Sequence, residues 1–193
     1  MIKQKIILTG CTGFIGENFI KENYKDYDIY CVFNRRRLNK KYFKGSIKYD
    51  GNFLKLKNFF KKINPDIVIH LATKFLKEHK ENDIYKLNYS NIYFGNQILE
   101  AMIKTNCRKL INFSSIWQNS ENNKQYNPNN LYSATKEAFE KILFFYIRRH
   151  RVSCITLKIY DTYGYGDKRK KIINFILEKI KKKNRKLTLY NKN

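Results

Sequence analysis

The stretch LTGCTGFIG, Leu8 to Gly16, places three of the chain's 8 glycines three residues apart, directly after the apolar run Ile6-Ile7-Leu8. An apolar run, then glycines, then Phe14-Ile15 reads as a strand, a tight turn and the first turn of a helix. In that setting Gly10 permits the turn. Gly13 lets the backbone approach an anion, and Gly16 lets the helix pack close to the strand. The anion would rest on the helix N-terminus, where free N–H groups and the dipole favour negative charge. The spacing is G-x-x-G-x-x-G rather than G-x-G-x-x-G. Strand, turn and helix nonetheless agree, and the expected ligand is the pyrophosphate of a dinucleotide.

Outward from this turn, short apolar runs alternate with longer helical patterns. Strands are predicted at Lys5–Leu8, Asp28–Phe33, Ser46–Asp50, Asp66–Ala72, Leu110–Ser114 and Ser153–Tyr160. Helices are predicted at Phe14–Tyr24, Phe53–Ile63, Asp83–Asn106, Leu131–His150 and Lys170–Lys183. This β-α-β alternation indicates an α/β, Rossmann-type doubly wound parallel sheet with helices on both faces. The only two prolines act as punctuation: Pro65 precedes a strand and Pro128 precedes a helix.

Composition narrows the function classes. At 193 residues and 42% hydrophobic content the chain suits one domain with a real core. No apolar run approaches the roughly 20 residues of a membrane span, and the N-terminus shows no signal-peptide pattern, so a cytoplasmic protein without a membrane partner is expected. Cys11, Cys31, Cys107 and Cys154 are scattered, and so are His70, His79 and His150. That pattern speaks against a metal site or a disulfide framework. The net charge of +24 would suit nucleic acid, but it is spread as lysine along the whole chain without a basic arm or a recognised nucleic-acid motif. Anionic small molecules are the expected partners, and nucleic acid is not.

After the second strand the chain reads VFNRRR, so Asn34, Arg35, Arg36 and Arg37 stand where NAD-binding domains usually carry a carboxylate for the ribose. A carboxylate would repel a 2′-phosphate, whereas guanidinium groups grip it with forked, charge-assisted hydrogen bonds. NADP is therefore expected, with NAD as the alternative. Of fifteen tyrosines only Tyr132 has a lysine, Lys136, four residues on, so the pair shares a helix face. A nearby ammonium favours the phenolate, which makes Tyr132 a candidate general acid toward a carbonyl. The fifth strand ends in Ser114-Ser115, at the carboxyl edge where open α/β sheets bind ligands.

T-G-x-x-G-x-x-G at Thr9–Gly16, DIVIHLA at Asp66–Ala72, a strand ending in Ser-Ser, and Y-x-x-x-K at Tyr132–Lys136 together resemble the extended short-chain dehydrogenase/reductases, the nucleotide-sugar epimerase/dehydratase group. YDTYGYGDKRKK at Tyr160–Lys171 resembles that family's segment after the sixth strand. INFSSIWQN and YNPNNLYSATKEAFE are similar to the branch of CDP-abequose and CDP-paratose synthases. That resemblance implies NADPH-dependent reduction of a nucleotide-linked 4-keto-deoxy sugar, serving surface-polysaccharide (lipopolysaccharide) synthesis. It implies a catalytic triad of Tyr132 as acid, Lys136 as ribose ligand and tuner of Tyr132, and Ser115 as carbonyl orienter, with Ser114 as the alternative. It implies cofactor contacts from Gly10, Thr12, Gly13, Phe14, Ile15, Gly16, Asn34, Arg35, Arg36, Leu71, Ala72 and Ser114. It also implies an adenine contact from Asp50 and a helix Asn near the site in Asn88. Trp117 and Gln118 replace the family's usual Val-Tyr-Gly; Trp117 reads equally as a branch feature and as a core aromatic.

In the helix at Leu131–His150 the spacing of Leu131, Ala134, Ala138, Ile142 and Phe145 makes one apolar stripe expected to cover the sheet, and Phe139, Leu143 and Tyr146 widen the apolar surface; the resemblance implies a homodimer built on this helix and the one at Asp83–Asn106. Members of the family continue into a substrate-clamping lobe. LTLYNKN, Leu187 to Asn193, falls where that lobe would start, so residues 1–193 are expected to be the cofactor domain, with most of the lobe absent after about residue 186. Two alternatives follow: an epimerase or dehydratase of the same family, and a truncated, catalytically inactive cofactor-binding protein.

Overall fold

The computed structural model describes residues 2–34, 39–119, 125–164, 166, 167, 169 and 171–181. The chain divides into two compact units, Met1–Tyr160 and Asp161–Asn193. The first holds a six-stranded, all-parallel sheet: β1 (Lys5–Thr9), β2 (Asp28–Phe33), β3 (Gly45–Lys48), β4 (Ile67–His70), β5 (Lys109–Ser115) and β6 (Ser153–Ile159). The strands lie in the order β3-β2-β1-β4-β5-β6. This order reverses at β1, so a crevice opens at the carboxyl ends of β1 and β4. Thr9 pairs with Val32 on one side and His70 on the other, which sets those strand ends level at the crevice.

The central strands are apolar on both faces because helices cover both. Ile6, Leu8, Ile29, Cys31 and Ile69 face Ile20 of α1 (Phe14–Asn23). On the other face Ile7, Val32, Val68 and Leu110 pack with Phe60 of α2 (Phe53–Ile63) and with Ile98, Leu99, Phe139 and Leu143 from the helices that follow β4 and β5. Each fully buried Leu, Ile or Phe here contributes about 1.5–3 kcal/mol. Asn52 caps α2 by accepting from the Lys55 N–H at 3.0 Å, and Asn64 ends it in the left-handed conformation just before Pro65.

The helix expected at Asp83–Asn106 is interrupted. α3 (Glu81–Asn88) runs into a π-helical segment, Tyr89–Tyr93, and continues as α4 (Phe94–Ile103). A π turn admits one extra residue and rotates the side chains that follow. The 3.6-residue pattern in the sequence carries no trace of it. The expected strand ends also shorten: β4 closes at His70 rather than Ala72, and β3 at Lys48 rather than Asp50, because the chain must leave the sheet to form the crevice edge.

α5 (Leu131–His150) opens with Asn130 as its cap, accepting from the Ser133 N–H at 2.9 Å. Its buried face is Tyr132, Thr135, Lys136, Phe139, Leu143 and Tyr146. The stripe expected to cover the sheet, Leu131, Ala134, Ala138, Ile142 and Phe145, is instead half-buried or exposed. Both stripes have helical spacing. Packing against the sheet decides which one turns inward, and it takes Tyr132 and Lys136 to the sheet edge.

In the second unit α6 (Ile172–Lys181) follows a loop pinned by Arg169, whose Nε and Nη2 donate to Asp167 at 2.6 and 2.8 Å and whose Nη2 also donates to the Thr162 carbonyl at 2.7 Å. That fork holds the Asp167 carboxyl well below the usual range. Among the described residues no helix is long and apolar enough to cross a membrane, and no three or more His, Cys, Asp or Glu cluster to hold a metal ion.

Candidate active site

The glycine turn joins β1 to α1 at the crevice. Gly10 has φ +67°, and a Cβ there would lie 2.6 Å from both the Leu71 carbonyl carbon and the Ala72 nitrogen. At Gly16 a Cβ would lie 2.5 Å from the Gly10 oxygen and 2.7 Å from Cys11 Cα. The turn's own packing therefore requires both glycines. Gly13 differs. Its φ of −84° suits any residue, and a Cβ would meet only the Gly10 oxygen, at 3.3 Å. It is exposed at the N-cap of α1 and offers the first turn no side chain. A glycine there leaves the helix N-terminus bare, and a pyrophosphate would fit that cradle. Thr12, Phe14 and Ile15 line the same turn, half-buried, and the Ala72 N–H donates to Thr9 Oγ1 at 3.1 Å, which holds Leu71 and Ala72 against Gly10.

Asn34 is exposed just past β2, while Arg35, Arg36 and Arg37 lie outside the described residues. Asp50, two residues past β3, is exposed; the Lys55 ammonium at 3.0 Å and the Asn52 N–H at 3.1 Å hold its carboxyl below the usual range.

Ser114 and Ser115 point to opposite sides, as neighbours in a strand must. The buried Ser114 hydroxyl is bonded to Gln118 and Glu140. Gln118 in turn donates to Glu137 at 2.6 Å and to Glu140 at 3.0 Å. Ser115 lies beside Tyr132 instead. Its Oγ accepts from the Trp117 N–H at 3.2 Å, which leaves its proton to donate. Burial raises the Tyr132 phenol above its ordinary value, while hydrogen bonds with Thr73 and Ser115 pull the other way.

Lys136 is 2% exposed, and burial lowers its ammonium to about 8 against the opposing pull of Glu140. The charge of Lys136 also acts on His70. His70 closes β4, lies 1% exposed against Phe94 and Phe139, and meets Thr9 Oγ1 through Nδ1 at 2.8 Å. Burial and the neighbouring ammonium depress its pKa to about 3, so the ring is neutral.

The expected helix asparagine is corrected. Asn88 is exposed on α3, whereas Asn91, three residues on in the π segment, is 1% exposed. Asn91 Oδ1 accepts from the Thr73 hydroxyl at 3.0 Å and the Lys74 N–H at 2.7 Å; its Nδ2 donates to the Lys74 carbonyl at 3.0 Å and to Thr135 Oγ1 at 2.9 Å. It thus ties the loop after β4 to α5 across the site. Sequence reasoning also passed over Thr73, although it directly follows HLA at the crevice edge, and Glu140, which sits one helical turn past Lys136.

Beside Tyr132 stand two more aromatics. The Phe75 ring packs edge-on to Tyr132, with centroids 5.0 Å apart and planes at 81°, and to Trp117 at 5.5 Å and 62°. Trp117 is half-buried and Phe75 is 51% exposed.

Residues 6–193 match the model of the NAD dependent epimerase/dehydratase family. The CDP-abequose synthase of Yersinia pseudotuberculosis is 26% identical over 177 residues, spanning 91% of this chain and 62% of that protein. The dTDP-D-glucose 4,6-dehydratase of Dictyostelium discoideum is 29% identical over 206 residues, spanning 88% of this chain and 46% of that protein. The chain thus spans between about half and three-fifths of the length of these relatives. Among solved structures, the UDP-glucose 4-epimerase from Brucella ovis in complex with NAD superposes with a TM-score of 0.75 at 21% identity, over 83% of this chain and 53% of that one.

Proposed function

The chain belongs to the NAD dependent epimerase/dehydratase family, and from that premise we propose that it is the cofactor-binding and acid-donating part of an NADPH-dependent reductase of a nucleotide-linked 4-keto-deoxy sugar. The observation that carries the reading is Tyr132 at the carboxyl edge of the sheet, its proton held by burial and its oxygen served by two hydroxyls. Gly10, Gly13 and Gly16 would hold the pyrophosphate, Asn34, Arg35 and Arg36 the 2′-phosphate, Asp50 the adenine, and Lys136 the ribose. When bound, NADPH supplies the hydride.

Tyr132 then gives its proton to the carbonyl oxygen that Ser115 orients. The phenolate left behind needs donors. Ser115 keeps one proton free. Thr73 donates to Asn91 while Tyr132 is neutral, and can turn its proton to the phenolate afterwards, since the Lys74 N–H still satisfies Asn91. A reductase is favoured over a dehydratase by the segment after Ser115. Removing water from a sugar needs a further acid and base near the ring, and Ile116 and Trp117 at that edge are apolar. An epimerase remains the second reading, favoured by the NAD in the Brucella ovis structure. A nicotinamide cofactor that stays bound through purification would select it.

The test of the cofactor is a paired fluorescence titration. NADPH is expected to bind about tenfold or more tighter than NADH, because a hydrogen bond to a charged group contributes roughly 1.5–3 kcal/mol. The double variant Arg35→Ala, Arg36→Ala should lose that preference. Equal affinities in the parent chain would reject NADP.

The proposal extends to a homodimer through α3, α4 and α5. In the stripe Leu131, Ala134, Ala138 and Ile142 stay half-buried and Phe145 is exposed, Phe144 beside it is exposed, and Tyr85 and Tyr93 are exposed on α3 and at the π segment. An apolar surface of that kind on two neighbouring helices suits a second copy of the same helices. Light scattering should give twice the chain mass, and Phe144→Lys with Phe145→Glu should halve it. A monomer at high concentration would refute the dimer.

A further inference from the structure

We infer that Gln118 is a positioning residue: its side chain clasps the end of β5 to α5 and so sets where Ser115 stands relative to Tyr132. The use of that pair in reduction rests on the proposed function, whereas the clasp rests on the hydrogen bonds alone.

Gln118 is fully buried, and both ends of its amide are bonded. Oε1 accepts from the Ser115 N–H at 3.2 Å and from the Ser114 hydroxyl at 2.5 Å. Nε2 donates to Glu137 at 2.6 Å and to Glu140 at 3.0 Å. The partners fix which end is which, because a backbone N–H only donates and a carboxylate only accepts. One face of the amide therefore holds the last two residues of β5, and the other holds two carboxylates of α5. The backbone of the same short turn, Ile116–Gln118, is tied to the approach of α5 as well. The Gln118 carbonyl accepts from the Asn127 N–H at 2.9 Å, and the Trp117 carbonyl from the Asn129 N–H at 3.1 Å, just before the Asn130 cap. Ser115 and Tyr132 belong to different elements, and this turn spans them.

The choice of a neutral amide follows from its surroundings. Lys136 and Lys141 on α5, Tyr126 ahead of α5 and Cys154 on β6 face the same two carboxylates. An amide donates to both carboxylates without adding a third negative charge. An apolar side chain would leave the Ser115 N–H and the Ser114 hydroxyl without their common acceptor, and a buried donor left unmade is costly. Ser115 would then be free to leave the position from which its hydroxyl reaches Tyr132.

The test reads Tyr132 directly, by NMR of protein carrying tyrosine labelled with carbon-13 at Cζ, a nucleus that follows the hydrogen bonds and ionisation of the phenol. Tyr132→Phe assigns the resonance. In Gln118→Leu the resonance should leave the parent position and titrate at higher pH, because the Ser115 hydrogen bond that favours the phenolate is lost. Ser115→Ala should move it the same way, and the double variant no further than Ser115→Ala, since Gln118 acts through Ser115. Gln118→Glu is the second variant. At neutral pH its carboxylate faces Glu137 and Glu140 and is repelled, so the resonance is displaced. As the pH is lowered and it takes a proton, its C=O can accept from the Ser115 N–H and its O–H can donate to Glu140, so the resonance should return toward the parent position. Affinity for NADPH should stay near the parent's, and single-turnover NADPH oxidation by a keto sugar should slow by up to about 10²-fold. The inference is overturned if Tyr132 keeps the parent position and titration in both Gln118 variants, whatever happens to Tm, or if the double variant adds the two single displacements. A parent that oxidises no NADPH would reject the reductase reading, and the Tyr132 resonance would still decide the clasp.

Discussion

Tyr132→Phe is expected to slow reduction of a nucleoside diphosphate 4-keto sugar by about 10²–10⁴ while leaving affinity for NADPH nearly unchanged. The phenol lies within the buried face of α5, and burial raises its pKa, so the proton stays on the oxygen across the neutral range. That is the protonation state a donor needs. Phenylalanine keeps the ring, and with it the edge contact to Phe75 and the packing of α5. Only the hydroxyl goes. The lost contributions are the proton itself and the polar environment in which Thr73 and Ser115 would receive the phenolate. Single-turnover oxidation of NADPH in the presence of the keto sugar measures the effect. Retention of most of the rate would mean that another group donates the proton, and would remove the central premise of the proposed reductase.

Lys136→Met is expected to make the ligand-free protein more stable and its cofactor affinity poorer. Lysine in an unfolded chain titrates near 10.5, and burial brings Lys136 to about 8. The folded state therefore holds the charged form at a penalty. At about 1.4 kcal/mol per pKa unit, that penalty is about 3 kcal/mol at pH 7. The sign follows from proton counts. Between pH 8 and 10.5 the unfolded chain binds more protons than the folded one, so parent stability climbs with pH through that window. Below pH 8 the penalty is complete. Methionine removes the charge at similar length, so Tm at pH 7 should rise by about 5–10 °C, and the climb between pH 8 and 10.5 should vanish. The penalty is retained because the ammonium would bind the ribose, and its loss should weaken NADPH about tenfold or more. A lower Tm together with an unchanged pH profile would mean that Glu140 and the surrounding groups already compensate the charge, and that Lys136 is structural.

The sequence by itself determined the sheet and the turn. β1 and β4 read as continuous apolar runs because both faces are covered, and that signal needs no knowledge of the partners. Gly10 and Gly16 were legible because the turn itself needs them: Gly10 takes φ +67°, and a Cβ at Gly16 would strike Gly10 and Cys11, whereas the close approach of Leu71 and Ala72 to Gly10 is a contact between distant segments. The pairing of Tyr132 with Lys136 on one helix face followed from spacing alone. Only the tertiary structure decided the rest. Ser114 and Ser115 are equivalent in sequence; β5's register gives one to Glu140 and Gln118 and the other to Tyr132. Asn88 and Asn91 are equally helical on paper, and the π turn that buries Asn91 is stabilised by Thr73, Lys74 and Thr135, 17 to 44 residues away in sequence. The two apolar stripes of α5 have the same period, and the sheet edge chose between them. Periodicity and backbone sterics act within a few residues and are written into the chain, whereas the direction of a side chain is fixed by contacts between distant segments that exist only once the fold has closed.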